Sequence, residues 1–206
     1  VLTQDELRSG LKLGLAKRDL IPVFCASGKR DIGAKRLMEF IINVAPGPIK
    51  APAFKTTDGR EIAADSSAPT SLFVFKSAVE PHLGEMTFFR VVSGKVTEGM
   101  ELVNSKTGNK EKISQLFAVA GKSRVKVTEM EAGDIGCTVK LKGTKTNQTL
   151  CSPGADIRIE PIRFPEPRYR AAVRPLKTGE DEKLGELLNR AHFEDPTILV
   201  EYSKEL

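Results

Sequence analysis

The stretch between residues 87 and 103 constrains the fold of this chain more than any other part of the sequence. It reads Thr-Phe-Phe-Arg-Val-Val-Ser-Gly-Lys-Val-Thr-Glu-Gly-Met-Glu-Leu-Val. Successive side chains of a β-strand point to opposite faces, so Phe89 and Val91 should share one face and Phe88 and Arg90 the other. The pattern predicts two β-strands joined by a turn at residues 93–94, with a second turn at residues 98–99.

Short apolar segments recur between residues 72 and 162, with glycine-containing turns between them. The strand candidates are residues 72–79, 84–92, 100–104, 111–119, 125–127, 135–141 and 157–162. Short strands at this spacing are typical of a closed barrel or a sandwich. The sequence therefore predicts a mainly β domain over residues 71–162.

The residues before this domain predict a helix, a strand and a second helix within positions 1–47. Thr3 and Glu6 have the spacing of a capping box at the start of an amphipathic helix. Residues 21–25, Ile-Pro-Val-Phe-Cys, form the short apolar run of a buried strand. A second apolar helix follows Gly33 and ends at Pro46. Residues 48–70 are rich in Pro, Ala, Ser and Asp and predict an extended linker.

The last segment, residues 163–206, predicts one β-α-β unit. Strands at residues 169–173 and 197–202 flank a predicted helix over residues 180–193. Neither these strands nor the one at residues 21–25 has an evident partner nearby in the sequence, and unpaired strand edges seek partners. We therefore expect them to pair with the barrel or with a second copy of the chain, which would give a strand-paired dimer.

Basic residues concentrate on the predicted β domain, although the net charge of the whole chain is only +5. Between positions 104 and 146 there are nine Lys or Arg residues but only four Asp or Glu residues. Such a surface can meet a polyanion, or it can consist of solvated loops and protected strand edges, and charge alone leaves both interpretations open. The basic residues at predicted hairpin ends are Lys106, Lys110, Lys112, Lys122, Arg124 and Lys126.

Composition disfavours several other classes of protein. No apolar run approaches the roughly 20 residues that span a bilayer, and positions 1–15 lack the pattern of a signal peptide. The three cysteines, Cys25, Cys137 and Cys151, include no Cys-x-x-Cys pair, and we expect them to be buried, reduced thiols of a cytoplasmic protein. With only His82 and His192 in the chain, no His-based metal site is predicted.

Three separated stretches resemble elongation factor G, a translational GTPase family. Residues 21–28, Ile-Pro-Val-Phe-Cys-Ala-Ser-Gly, resemble the last strand and the guanine loop of its GTP-binding domain. The barrel phrases at residues 87–94, 132–135 and 149–151 resemble its second domain. Phe-Pro-Glu-Pro at residues 164–167, with Glu-Asp-Pro-Thr at residues 194–197, resembles the opening of its third domain. The order and spacing of these phrases support the resemblance over nearly all of the chain.

The resemblance implies a translation-factor β-barrel of the domain II type between a partial P-loop GTPase domain and a partial ferredoxin-like domain. It implies a parent protein that hydrolyses GTP with Mg²⁺ on the ribosome and catalyses translocation of tRNA and mRNA. The barrel is then expected to contact small-subunit ribosomal RNA through the six basic residues at its hairpin ends. Ser27, Gly28 and Lys29 correspond to the guanine loop, in which a backbone N–H reads the guanine carbonyl.

The nucleotide-hydrolysing motifs are missing from these 206 residues. There is no Gly-x-x-x-x-Gly-Lys-Ser/Thr loop, no Asp-x-x-Gly switch segment in a suitable strand context and no Asn-Lys-x-Asp motif. Because phosphoryl transfer depends on groups arranged around the phosphates, we expect this chain to be an inactive piece of a longer GTPase, with no GTP or Mg²⁺ bound. The alternatives are a non-enzymatic RNA- or ribosome-binding barrel protein and a related ribosome-protection or release-factor GTPase.

Overall fold

The first compact unit of the chain, residues 1–53, contains two α-helices. The structure is a computed structural model and describes residues 2–80, 84–121 and 123–202. Helix α1 spans Gln4–Lys17 and helix α2 spans Ala34–Val44. The predicted capping box is present, since the Thr3 N–H donates to Glu6 Oε2 at 2.8 Å and the Glu6 N–H donates to Thr3 Oγ1 at 3.3 Å. The sequence thus determines where α1 begins.

The strand predicted at residues 21–25 is wrong. The segment makes no β-ladder with any described residue, and the side chains of Ile21 and Val23 are 86% and 88% exposed. A strand is stable only when a neighbour accepts and donates its backbone hydrogen bonds, and the described part of this unit supplies none. Local sequence identifies the apolar character of the segment, but it carries no information about a pairing partner.

The second unit, residues 54–206, is built on a β-sheet of eight strands. The twelve strands described are β1 (Phe54–Lys55), β2 (Glu61–Ile62), β3 (Ser71–Glu80), β4 (Gly84–Ser93), β5 (Lys95–Thr97), β6 (Glu101–Asn104), β7 (Lys110–Lys112), β8 (Leu116–Ala120), β9 (Ser123–Val127), β10 (Glu129–Glu131), β11 (Ile135–Val139) and β12 (Thr149–Cys151). The large sheet has the order β7-β6-β12-β3-β4-β11-β8-β9, and all of its pairs are antiparallel. Two short antiparallel pairs, β1–β2 and β5–β10, complete the unit.

One apolar core lies inside this sheet and confirms the alternation read from the sequence. Phe89 and Val91 of β4 are fully buried in it, together with Leu102 of β6 and Leu116 of β8 from the two halves of the strand order. Phe88 and Arg90 face the other way, and the Arg90 guanidinium lies 5.0 Å from the centre of the Phe54 ring. The sheet curls around a shared core, as a barrel of the predicted class does.

The predicted strand over residues 111–119 is two strands, β7 and β8, in the structure. Residues 113–115 between them leave the ladder, although Ile113 stays fully buried and its N–H donates to the Met100 carbonyl at 2.9 Å. The predicted strand over residues 157–162 is also wrong, because only one isolated bridge, Thr56 with Ile159, forms there. Apolar side chains of these segments, such as Ile113 and Ile159, are buried although their backbones form no ladder. An apolar pattern in the sequence does not distinguish the two cases.

The segment predicted as an extended linker forms a hairpin over residues 54–62. Strands β1 and β2 form a hairpin whose Phe54 and Ile62 pack on a second apolar cluster on the outside of the sheet. The Thr57 N–H donates to the Arg158 carbonyl at 2.9 Å, and the Glu160 N–H donates to the Lys55 carbonyl at 2.8 Å. The prediction of an extended linker is therefore wrong here, since composition does not reveal these long-range backbone bonds.

Helix α3 spans Asp181–Glu194, close to the predicted residues 180–193, but the strands predicted on either side of it are absent. Residues 169–173 and 197–202 join no β-ladder within the described chain. The helix instead contacts the C-terminal end of β3, beyond the three residues of that strand that pair with β12. The Val79 N–H donates to Glu194 Oε1 at 2.8 Å, and Arg190 Nη2 donates to the Val79 carbonyl at 2.8 Å. Pairing of the segments with the barrel is thus contradicted, while pairing with a second copy stays a prediction.

The three cysteines occupy different environments. Burial is confirmed for Cys137 and Cys151 in the second unit, but the prediction is wrong for Cys25, which is exposed. Burial raises the pKa of the Cys137 thiol to about 11, so this thiol is protonated and poorly nucleophilic at neutral pH. Among the described residues, no helix has both the length and the apolar character needed to cross a membrane.

Candidate nucleic-acid interface

The basic residues predicted as RNA contacts fall on two separate hairpins. Lys106 lies in the turn after β6, and Lys110 and Lys112 lie on β7. Arg124 and Lys126 lie on β9, whereas Lys122 is outside the described residues. Strands β7 and β9 stand at opposite ends of the strand order. The structure thus divides the predicted set in two.

The two described basic residues on β9 already have acidic partners. Arg124 forms an ion pair with Glu80, and its side chain is 25% exposed. Lys126 Nζ lies 2.9 Å from Glu98 Oε1. Each pair lowers the positive charge available to an outside anion, so this hairpin is the weaker candidate for an RNA contact.

The lysines of the β6–β7 hairpin differ in this respect. Lys106, Lys110 and Lys112 are exposed, and none has a carboxylate within 4.0 Å among the described residues. Lys110 and Lys112 flank a buried residue, Glu111, and alternation along β7 turns both lysines outward. On the neighbouring strand β6, Glu101 stands opposite Lys112. This hairpin therefore presents largely uncompensated positive charge.

A loop that the sequence does not assign to the site extends this charge. Residues 142–148 lead into β12, which pairs with β6, and they carry the exposed lysines Lys142 and Lys145. Both lysines contribute to the basic count between positions 104 and 146, but no local pattern connects them to the hairpin. We call the surface formed by these five side chains the basic face: Lys106, Lys110, Lys112, Lys142 and Lys145.

A buried polar network joins the loop to the hairpin. Asn104, fully buried at the end of β6, donates through Nδ2 to Gln148 Oε1 at 2.8 Å and to Thr144 Oγ1 at 3.2 Å. Its Oδ1 accepts from the Lys106 N–H at 3.0 Å. The same Gln148 Oε1 accepts from the Lys145 N–H at 2.9 Å. The backbones that carry Lys106 and Lys145 are thus held by one pair of buried amides.

The carboxylate of Glu111 is the second junction between the two segments. Glu111 is 3% exposed. Its Oε2 accepts from the Lys142 N–H at 2.9 Å, and its Oε1 accepts from the Gly143 N–H at 3.0 Å and from Thr144 Oγ1 at 2.9 Å. The alternation Lys-Glu-Lys on a strand is the signal available in the sequence, because it turns the central residue away from its exposed neighbours.

The predicted guanine loop lies in the first unit. Gly28–Arg30 form one turn of 3₁₀ helix, and the Ser27 N–H donates to the Ile32 carbonyl at 2.9 Å, which closes the loop. Within the described residues, the N–H groups of Gly28 and Lys29 have no hydrogen-bond acceptor. These two N–H groups therefore remain available as hydrogen-bond donors.

Two comparisons with known proteins agree with this architecture. Residues 69–153 match the family model described as elongation factor G domain 2. A crystal structure of a protein from Thermus thermophilus is similar over 100% of this chain, with a TM-score of 0.79 and 25% sequence identity. The alignment covers 29% of that protein, so this chain spans less than a third of its length.

Proposed function

We propose that residues 69–153, which match the family model described as elongation factor G domain 2, form a domain that binds ribosomal RNA of the small subunit through its basic face. The observation that carries the proposal is the placement of five exposed lysines on two segments joined by buried hydrogen bonds. The phosphate backbone of RNA is the ligand that such a surface suits, because each neutralised phosphate releases counterions.

The parent protein in this proposal is a cytoplasmic, ribosome-dependent GTPase that drives translocation of tRNA and mRNA. Its support is the order of sequence phrases on both sides of the domain 2 match, at residues 21–28 and 164–167, which resemble neighbouring domains of the family. The N–H groups of Gly28 and Lys29 would read the guanine carbonyl of GTP. The phosphates and Mg²⁺ require a phosphate-binding loop that these 206 residues lack, so the chain alone should not hydrolyse GTP.

Salt dependence of binding to purified small ribosomal subunits tests the proposal. If the basic face neutralises about four or five phosphates, the slope of log K against the log of the salt concentration should be about −4. This value uses the slope of about −0.9 per neutralised phosphate that holds for a duplex. Affinity measured by co-sedimentation should then fall on the order of 100-fold between about 50 mM and about 200 mM KCl. Absence of binding at low salt, or binding that does not change with salt, would contradict the proposed function.

A further inference from the structure

The buried carboxylate of Glu111 makes none of the RNA contacts proposed above, yet its environment is unusual for an acidic side chain. It lies 3% exposed between two outward lysines, and no basic side chain of the described chain lies within 4.0 Å of it. Burying a carboxylate is costly unless hydrogen bonds replace its water. Here three donors replace it, and all three come from one loop.

The donors are arranged so that the carboxylate fixes the backbone of this loop. The N–H groups of Lys142 and Gly143 are successive, and each donates to a different carboxylate oxygen. Thr144 adds its hydroxyl, and that hydroxyl also accepts from Asn104 Nδ2 at 3.2 Å. Bonds to a charged acceptor are stronger than bonds between neutral groups. The loop is therefore anchored at its start by Glu111 and farther along by Gln148.

We propose that Glu111 is a positioning residue for RNA binding, because its carboxylate holds Lys142 and Lys145 beside the lysines of the β6–β7 hairpin. The inference rests on the proposed function and adds the means by which two distant sequence segments act as one surface. A loop that is already ordered pays less conformational entropy when its lysines meet phosphates. The basic face consists of lysines without aromatic rings, which suits the backbone of folded RNA rather than unstacked bases.

A thermodynamic cycle separates positioning from a general effect on stability. We expect Lys142→Ala with Lys145→Ala to lower the affinity of the full chain for small ribosomal subunits about tenfold and to reduce the salt slope by about 1 to 2. In an E111Q background the same two lysine substitutions should lower the affinity by less than about threefold, because the start of the loop is no longer anchored. The E111Q side chain retains the size of glutamate and one acceptor oxygen. Its amide NH₂, however, is a donor and cannot accept a hydrogen bond from the loop, so at least one of these bonds is lost.

Two controls make every outcome decisive. Far-UV circular dichroism must show that E111Q is folded; if it is not, Thr144→Val replaces it, because that change removes one loop donor at nearly constant volume. If the two lysine substitutions lower the affinity equally in the unmodified chain and in the E111Q variant, the inference is overturned and the proposed function stays intact. If the unmodified chain shows no salt-dependent binding to the subunits, the proposed function is overturned instead. Binding that survives ribonuclease digestion of the subunits would assign the face to a protein partner and overturn both.

Discussion

Reversing the three lysines of the β6–β7 hairpin should nearly abolish binding to the small ribosomal subunit. Lys106, Lys110 and Lys112 lack acidic partners within the described structure, so their charge is available to phosphates. A lost contact between a lysine and a phosphate costs about 1 kcal/mol or more, and reversal adds repulsion. We expect the triple change to Glu to lower affinity on the order of 100-fold at low salt, measured by co-sedimentation.

The matched control for this variant carries the same change in net charge elsewhere. Lys12, Lys35 and Lys50 are exposed lysines of the first unit, and their reversal to Glu should leave affinity within about threefold. Reversing Arg124 and Lys126 should have an intermediate effect, since Glu80 and Glu98 already offset their charge. A loss of equal size in all three variants would mean that net charge, rather than the basic face, governs binding.

Substituting Gly94 with alanine should strongly destabilise the barrel. Gly94 has φ 71°, and a Cβ there would lie 2.6 Å from the Thr70 Cα and 2.7 Å from the Ala68 carbonyl oxygen. These are backbone atoms, so no side-chain rotation relieves the clash. The left-handed conformation and the overpacking together should lower the free energy of unfolding by about 3 kcal/mol or more.

Gly99→Ala is the matched control for that prediction. Gly99 has φ 86°, yet among the described residues other than its two chain neighbours no heavy atom lies within 4 Å of the position that an added methyl group would take. This change should therefore cost only the backbone strain, about 1 to 2 kcal/mol. Urea unfolding followed by far-UV circular dichroism measures both values. Equal costs for the two variants would show that the close approach of residues 68–70 to Gly94 does not restrict the barrel.

The central strands can be predicted from the sequence because their signal is local. Alternation along residues 84–93 identifies β4 and the face that Phe89 buries, whatever the strand pairs with. The segments at residues 21–25, 169–173 and 197–202 have the same apolar character but form no ladder within the described chain. A ladder depends on a partner distant in sequence, and composition carries no information about whether one is present.

The candidate site is predictable only in part for a similar reason. Lys106, Lys110 and Lys112 stand out by charge at a predicted hairpin, and the structure places them together. Lys142 and Lys145 join them only through the pairing of β12 with β6 and the bonds of Glu111 and Gln148, which are long-range features. Charge alone does not separate Arg124 and Lys126 from the others, because their acidic partners, Glu80 and Glu98, are distant in the sequence.

Directed hydroxyl-radical probing tests the central claim most directly. An iron chelate is attached to the new thiol of a Lys110→Cys variant that also carries Cys25→Ser, which removes the exposed native thiol. The chelate should cleave small-subunit ribosomal RNA at a defined group of nucleotides in the complex. The same chelate attached through Val125→Cys, at an exposed position of β9, should cleave more weakly. Absence of cleavage from position 110, or stronger cleavage from position 125, would contradict binding through the basic face.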